Sequence, residues 1–488
     1  MRICAVIGTI FLCHNCLVAT APLVHPNAEL PVPQIGFRIT DAQLNEAVGL
    51  LGKMVAIPSI SNPNSPDYKF EHLQIAAQFV AGQLRDLGCE VAYPSIEGSP
   101  PFVMAQLGAD PAKPTLLLYA HYDVQPVDRE MWLSDPFIMQ EREGRLYGRG
   151  ASDDKAGIAA IITALKAYLK SFSELPVNIK LLFEGEEEYG SSHMRAFLEQ
   201  NSQYLQSDAL VVLDGRNRDM HIGTLTCATR GIVTIKLKVN ALEKPVHSGS
   251  GCLAPDPAQA LAGLIYALRE PKNIPGFLDS ILPLSDQERD ILAKNSLSAE
   301  SYAKEMHVIK TARLRGDPKE SIYERIAHEP SISVINMQCG QPNGGNSIQD
   351  SATCMIGVRI LPGQDPDRVA KIVMDHLQSQ AILYDLPIEM SLVTKGSWAW
   401  KAELTRPFSQ KYLEALGENF ASSAAMPTGG AFPLLREFQE KFPAMEMIVA
   451  GIEDPHTSAH SHNESQDRAV FRNAINTLIA FMHKAGTK

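Results

Sequence analysis

Five short segments concentrate the residue types that bind cations or move protons. His121-Tyr-Asp123 is the first, and Asp153-Asp154, inside Gly148-Arg-Gly-Ala-Ser-Asp-Asp-Lys155, is the second. The third is Glu184-Gly-Glu-Glu-Glu188-Tyr-Gly-Ser191, the fourth is Asp214, and the fifth carries His456 and Ala459-His-Ser-His-Asn-Glu464. Taken singly, each has an ordinary explanation. His-x-Asp is commonly a hydrogen-bonded surface pair. Adjacent aspartates cap a helix, a glutamate run starts a solvated helix, and two nearby histidines sit in a polar loop. Taken together, they would place two histidines and at least three carboxylates at one end of one sheet. Converging carboxylates repel one another unless a cation neutralises them, so the set reads as a metal site. Mixed histidine and carboxylate ligation suits zinc, manganese or cobalt better than calcium.

The elements that must position these residues are legible from hydrophobic patterning. Thr115–Ala120, Ile179–Phe183, Ala209–Leu213 and Met445–Ala450 are short unbroken apolar runs, the mark of strands buried on both faces of a parallel sheet. Each candidate segment except Asp153-Asp154 follows one of them, where open α/β sheets bind ligands. Helical spacing spans Glu71–Leu87, Ala156–Leu169 and Gln466–His483. Strands alternating with helices predict an α/β fold, a mainly parallel sheet covered by helices. After about residue 225 the character changes. Ile232–Val239, Ser331–Ile335 and Cys354–Ile360 alternate as half-exposed strands do, with helices near Pro257–Leu268 and Asp367–Gln380. That pattern predicts an α+β unit inserted into the first domain, which runs over 40–224 and 400–488, leaving 225–399 for the insert. Residues 280–325 carry many charges and turn residues and give no clear element.

The 488 residues would allow roughly three domains at the usual size, and the interruption reduces this to two. A composition of 45% hydrophobic and 20% charged residues excludes a disordered or multi-span membrane chain. The net charge of −11 argues against nucleic acid as a partner. Residues 1–21, with one early arginine, a short apolar run and an Ala-Thr-Ala ending, have the form of a signal peptide for export. An uncleaved anchor is the alternative, although His14 and Asn15 interrupt the run. Beyond that segment remain Cys89, Cys227, Cys252, Cys339 and Cys354, an odd number without zinc or disulfide spacing.

The segments resemble the M20 metallopeptidases, the carboxypeptidase G2, acylase and carnosinase group. The strings His-Tyr-Asp-Val-Gln-Pro (121–126), Gly-Arg-Gly-Ala-Ser-Asp-Asp-Lys (148–155), Glu-Gly-Glu-Glu-Glu-Tyr-Gly-Ser (184–191), His247-Ser-Gly and Ala-His-Ser-His-Asn-Glu (459–464) occur in that family's order, over most of the chain from about residue 40. The first string is most similar to the dipeptidase branch that includes carnosinases. The resemblance implies a zinc-peptidase-like catalytic domain with an inserted lid and dimerisation domain. It implies two divalent metals, zinc with manganese or cobalt as alternatives, bridged by Asp153. His121 and Asp214 would complete one site, Glu188 and His460 the other. Asp123 would orient His121, Glu187 would be the general base, and a cis peptide would follow Asp153.

In the lid, the resemblance implies that His247 stabilises the oxyanion, often across a homodimer interface. Arg359 would bind the substrate's free carboxylate and Asn346 would contact substrate. The implied activity is hydrolysis of dipeptides or short peptides with a free C-terminal carboxylate. An N-acyl amino acid deacylase or glutamate carboxypeptidase would use the same residues. A silent scaffold protein would be expected to have lost a ligand or the base, and here none is lost. Two departures bear on substrate preference. Ala431 replaces a hydroxyl residue in Pro427-Thr-Gly-Gly-Ala-Phe-Pro433, and Gln349 stands where the family has proline.

Overall fold

The computed structural model describes residues 37–487, apart from 173, 318, 342–344, 383–384 and 395. The expected signal segment 1–21 lies outside the described residues. The main sheet contains nine strands among the described residues. At its centre Asn178–Glu184, Thr115–His121, Ala209–Arg216 and Glu446–Glu453 lie side by side and parallel. Antiparallel strands flank them, Val103–Leu107 on one side and Ile222–Thr229 on the other.

Alternation along the central strands decides what each face meets. Leu116, Leu118 and Ala120 join the core under helices Asp41–Val55, Phe70–Asp86, Lys155–Phe172 and Arg468–Gly486. Leu117 and Tyr119 join the opposite core with helices Met194–Leu205 and Pro433–Lys441. The sheet is therefore buried on both faces, which is why its strands read as unbroken apolar runs. Helix Lys155–Phe172 is apolar nearly all round because it is sandwiched between two other helices and the sheet.

A second, antiparallel sheet of four strands runs Ser331–Gln338, Ser351–Ile360, Gly231–Asn240, Ile388–Leu392. Val233, Ile235, Leu237 and Val239 face helices Pro257–Ala267 and Pro366–Ala381, while the intervening residues are partly or fully exposed. One covered face and one open face produce the alternation seen in sequence.

Two readings need correction. The last helix begins at Arg468 rather than 466, because Ser465–Asp467 pairs as a strand with Arg145–Tyr147 and Asp467 caps the helix. The unreadable stretch 280–325 contains helices Asp286–Asn295 and Ala299–Glu305 and the start of Ile322–His328. Each buries few apolar side chains, so periodicity is weak, yet Ser285, Ser298 and Ser321 cap all three through side-chain hydrogen bonds. The Ser285–Glu288 capping box was the available signal. All five described cysteines are free. Among the described residues no helix is long and apolar enough to cross a membrane.

Candidate metal centre

The central strands deliver their polar residues to one edge. His121 ends its strand and is fully buried. Its Nδ1 lies 3.1 Å from the Asp123 carbonyl oxygen and 3.3 Å from Asp123 Oδ1. Facing two acceptors, Nδ1 is the nitrogen that would keep its proton when Nε2 takes a cation. Nε2 lies 3.0 Å from Asp153 Oδ1 and 3.7 Å from Asp214 Oδ2. Asp153 sits just before helix Lys155–Phe172, and its other oxygen lies 3.0 Å from His460 Nε2. The same imidazole nitrogen lies 3.0 Å from Glu188 Oε2. Two triads result, His121/Asp153/Asp214 and Asp153/Glu188/His460, with the ligand atoms of each within 4.8 Å of one another. Asp153 belongs to both and offers one oxygen to each histidine.

Neighbouring groups fix these side chains. The Asp123 carboxylate accepts the backbone N–H of Glu187 at 3.2 Å and of Glu188 at 3.0 Å, so one aspartate holds both the His121 ring and the turn Glu187–Tyr189. Gln125 donates to Glu188 Oε2 at 2.8 Å. Asp154 caps its helix through Gly157 N–H at 3.1 Å and also accepts from the His121 N–H. The helix-cap explanation is thus correct for the second aspartate of the pair and not for the first. The peptide bond between them is cis.

The electrostatics are those of crowded carboxylates. Burial, reinforced by Asp153, Asp154 and Glu187, holds Asp214 well above the usual range. Glu187 is pushed up to about 8 by burial, with help from Glu188 and Asp153 and opposition from His121. Hydrogen bonds to Asp153 and Glu188 push His460 up to about 11. Among the described residues no hydrogen bond reaches the Asp214 carboxylate, whose side chain is 7% exposed and whose ion-pair partner is His121 Nε2 at 3.7 Å. A buried carboxylate without a donor is costly unless a cation pairs it. With two imidazole nitrogens aimed at one bridging carboxylate, this donor set fits a pair of divalent ions.

Glu187 belongs to neither triad, and its Oε2 lies 4.0 Å from His121 Nε2. The other expected residues lie apart. His247 is exposed on strand Val246–His247, which pairs with Ser347–Ile348. Asn346 precedes that partner strand and hydrogen bonds to Ser248, so these two lid residues are neighbours. Arg359 is on strand Ser351–Ile360, opposite Ser331. Among the described residues no hydrogen bond or ion pair joins any of the three to the triads. Gln125 and Glu464 were within the matched strings but had no assigned part, since spacing does not reveal a buried hydrogen bond.

Histidine–carboxylate triads at the carboxyl edge of a parallel sheet define a metal-dependent hydrolase. Residues 117–484 match the model of peptidase family M20/M25/M40, and the chain belongs to that family. It is 28% identical over 468 residues to a Beta-Ala-His dipeptidase of Rattus norvegicus, covering 91% of this chain and 94% of the relative. It is likewise 28% identical over 417 residues to a Cysteinylglycine-S-conjugate dipeptidase of Corynebacterium striatum, covering 83% and 89%. The crystal structure of human carnosine dipeptidase 1 superposes with a TM-score of 0.76 at 27% identity, covering 91% of this chain and 97% of that one.

Proposed function

We propose that this metallopeptidase is a two-metal exopeptidase hydrolysing dipeptides or short peptides with a free C-terminal carboxylate. The observation that carries the reading is Asp153 shared between two histidine-containing triads, with Glu187 beside them and in neither. His121, Asp153 and Asp214 would hold one divalent ion, and Asp153, Glu188 and His460 the other. When bound, such a pair supplies Lewis acidity and lowers the pKa of water towards neutrality. Glu187 accepts the attacking water's proton and returns it to the leaving amine. Asp123 keeps the His121 tautomer and the Glu187–Glu188 turn in place. Zinc is the preferred ion, with manganese or cobalt as alternatives, because ligand type does not separate them.

The unit over 225–399 would serve as lid and dimerisation domain on a catalytic domain of 40–224 and 400–488. There Arg359 would take the substrate carboxylate, His247 the developing oxyanion, and Asn346 the substrate backbone. The exposed edge strand Ser331–Gln338, with Val334, Ile335 and Met337 open to solvent, supports a homodimer through the lid. A homodimer would also account for a His247 that lies apart from the triads of its own chain. Export through residues 1–21 belongs to the same reading.

Elemental analysis of the purified protein and a substrate panel test the proposal. Two divalent ions per chain and turnover of dipeptides are expected. Turnover of N-acetyl amino acids or folyl glutamates with dipeptides untouched would replace the dipeptidase assignment by the deacylase or carboxypeptidase one. Glu187→Ala is expected to keep both ions and lose at least about 100-fold in rate.

A further inference from the structure

The segment that carries His460 is conformationally unusual. Ser458, His460 and Asn463 all have left-handed backbones, with φ of 55°, 60° and 58°. None is glycine, and such backbones persist only where their surroundings enforce them. At the start of the segment, Arg145 holds Asp454 through two parallel hydrogen bonds of 3.0 Å. At its far end lies Glu464, fully buried.

The Glu464 carboxylate is saturated by donors from a single run of chain. Oε1 accepts the N–H of Ser152 at 2.9 Å and of Asp153 at 3.0 Å. Oε2 accepts the N–H of Gly150 at 3.0 Å and Arg149 Nη1 at 2.7 Å. Arg149, itself 2% exposed, returns through Nη2 to the Ser461 carbonyl at 3.0 Å, next to His460. The loop closes on itself, from Glu464 to the backbone of Asp153, and from Arg149 to the residue after His460. Every donor belongs to residues 149–153, the run that ends at the shared carboxylate.

We infer that Glu464 is a positioning residue that sets Asp153 and His460 at their mutual distance, with Arg149 as its partner. The inference rests on the two-metal reading above and assigns the spacing of Asp153 and His460 to a group that touches no ion. An anchoring carboxylate is suited to this because backbone N–H donors fix its two oxygens in a plane. The amide of Glu464→Gln keeps an acceptor for Ser152 and Asp153 but turns a donor towards Arg149 and Gly150. Arg149→Lys keeps the charge and loses the second arm to Ser461.

The test is titration of the full-length, metal-stripped protein with Zn2+ against a chromophoric chelator, with far-UV circular dichroism recorded on the same samples. The parent should take up two Zn2+ per chain. Glu464→Gln should retain the parental dichroism and lose about 10- to 100-fold in Zn2+ affinity, the usual cost of removing a group that orients a ligand. Its kcat should fall by more than its KM changes. Arg149→Lys should lie between the two. Parental Zn2+ affinity in folded Glu464→Gln overturns the inference alone. A parent that takes up no Zn2+ overturns the two-metal reading, and the inference with it.

Discussion

The two triads share Asp153 and differ in nearly everything else. The inner one is built on strand ends. His121 is flanked in register by Glu184, Asp214 extends the neighbouring strand, and their side chains are 0% and 7% exposed. The outer one is built on a turn and a loop. Glu188 lies in Glu187–Tyr189, and His460 has a left-handed backbone and a side chain 59% exposed. A ligand at a strand end inherits the rigidity of the ladder. A ligand on a loop depends on side-chain anchors such as Arg145–Asp454 and Arg149–Glu464. In this molecule two triads of the same donor types are therefore held by two different means.

The largest effect should come from removing what the triads share. Asp153→Ala should abolish both sites, with neither ion retained in elemental analysis. The rate should fall by more than about 10³-fold, beyond the usual cost of removing one transition-state donor. Retention of one ion at full occupancy would show that the triads are less interdependent than their geometry implies.

The next effect separates the two regions. In the metal-free protein, His121→Ala should lose about 3–5 kcal/mol of unfolding free energy in denaturant titration, because it leaves buried partners unpaired. His460→Ala should lose less than half of that, since its ring is largely in solvent. Equal losses would mean that the loop is as integral to the fold as the strand.

A pH scan sharpens the contrast. His460 is pushed up to about 11 by Asp153 and Glu188. A raised folded pKa gives stability that is fully present below the ordinary histidine value of about 6.5 and is lost as pH rises towards 11. The thermal midpoint of the metal-free protein should therefore decline over that window, and His460→Ala should flatten the decline. An unchanged slope in the variant would assign the titration elsewhere.

The smallest effect tests the loop backbone. Ser458→Gly removes a left-handed non-glycine residue and adds unfolded-state entropy, two terms of similar size. A gain of about 1 kcal/mol or less is expected. A loss larger than that would show that the serine side chain, rather than its backbone, shapes the segment.

The fold was legible where packing imposes a period. The four buried runs, the helix around Ala156–Leu169 and the alternating strands around Ile232 and Cys354 all have their predicted type, because sheets covered on both faces or on one select residues differently. The helices of 280–325 were not legible, since they are short, most of their residues are not fully buried, and their serine caps mark them better than any apolar period. Asp153 and Asp154 show the same limit at the site, because adjacent and identical residues turned out to have different partners.

The sequence by itself determined the chemistry available: which residue types can accept cations or move protons, and which buried runs they follow. Only the tertiary structure decided that one oxygen of Asp153 meets His121 while the other meets His460, more than three hundred residues apart in the chain. Residue type fixes what a group can bind. Which groups share a binding point depends on distances set by packed layers and buried hydrogen bonds, such as those of Asp123 and Glu464, and no local pattern encodes those.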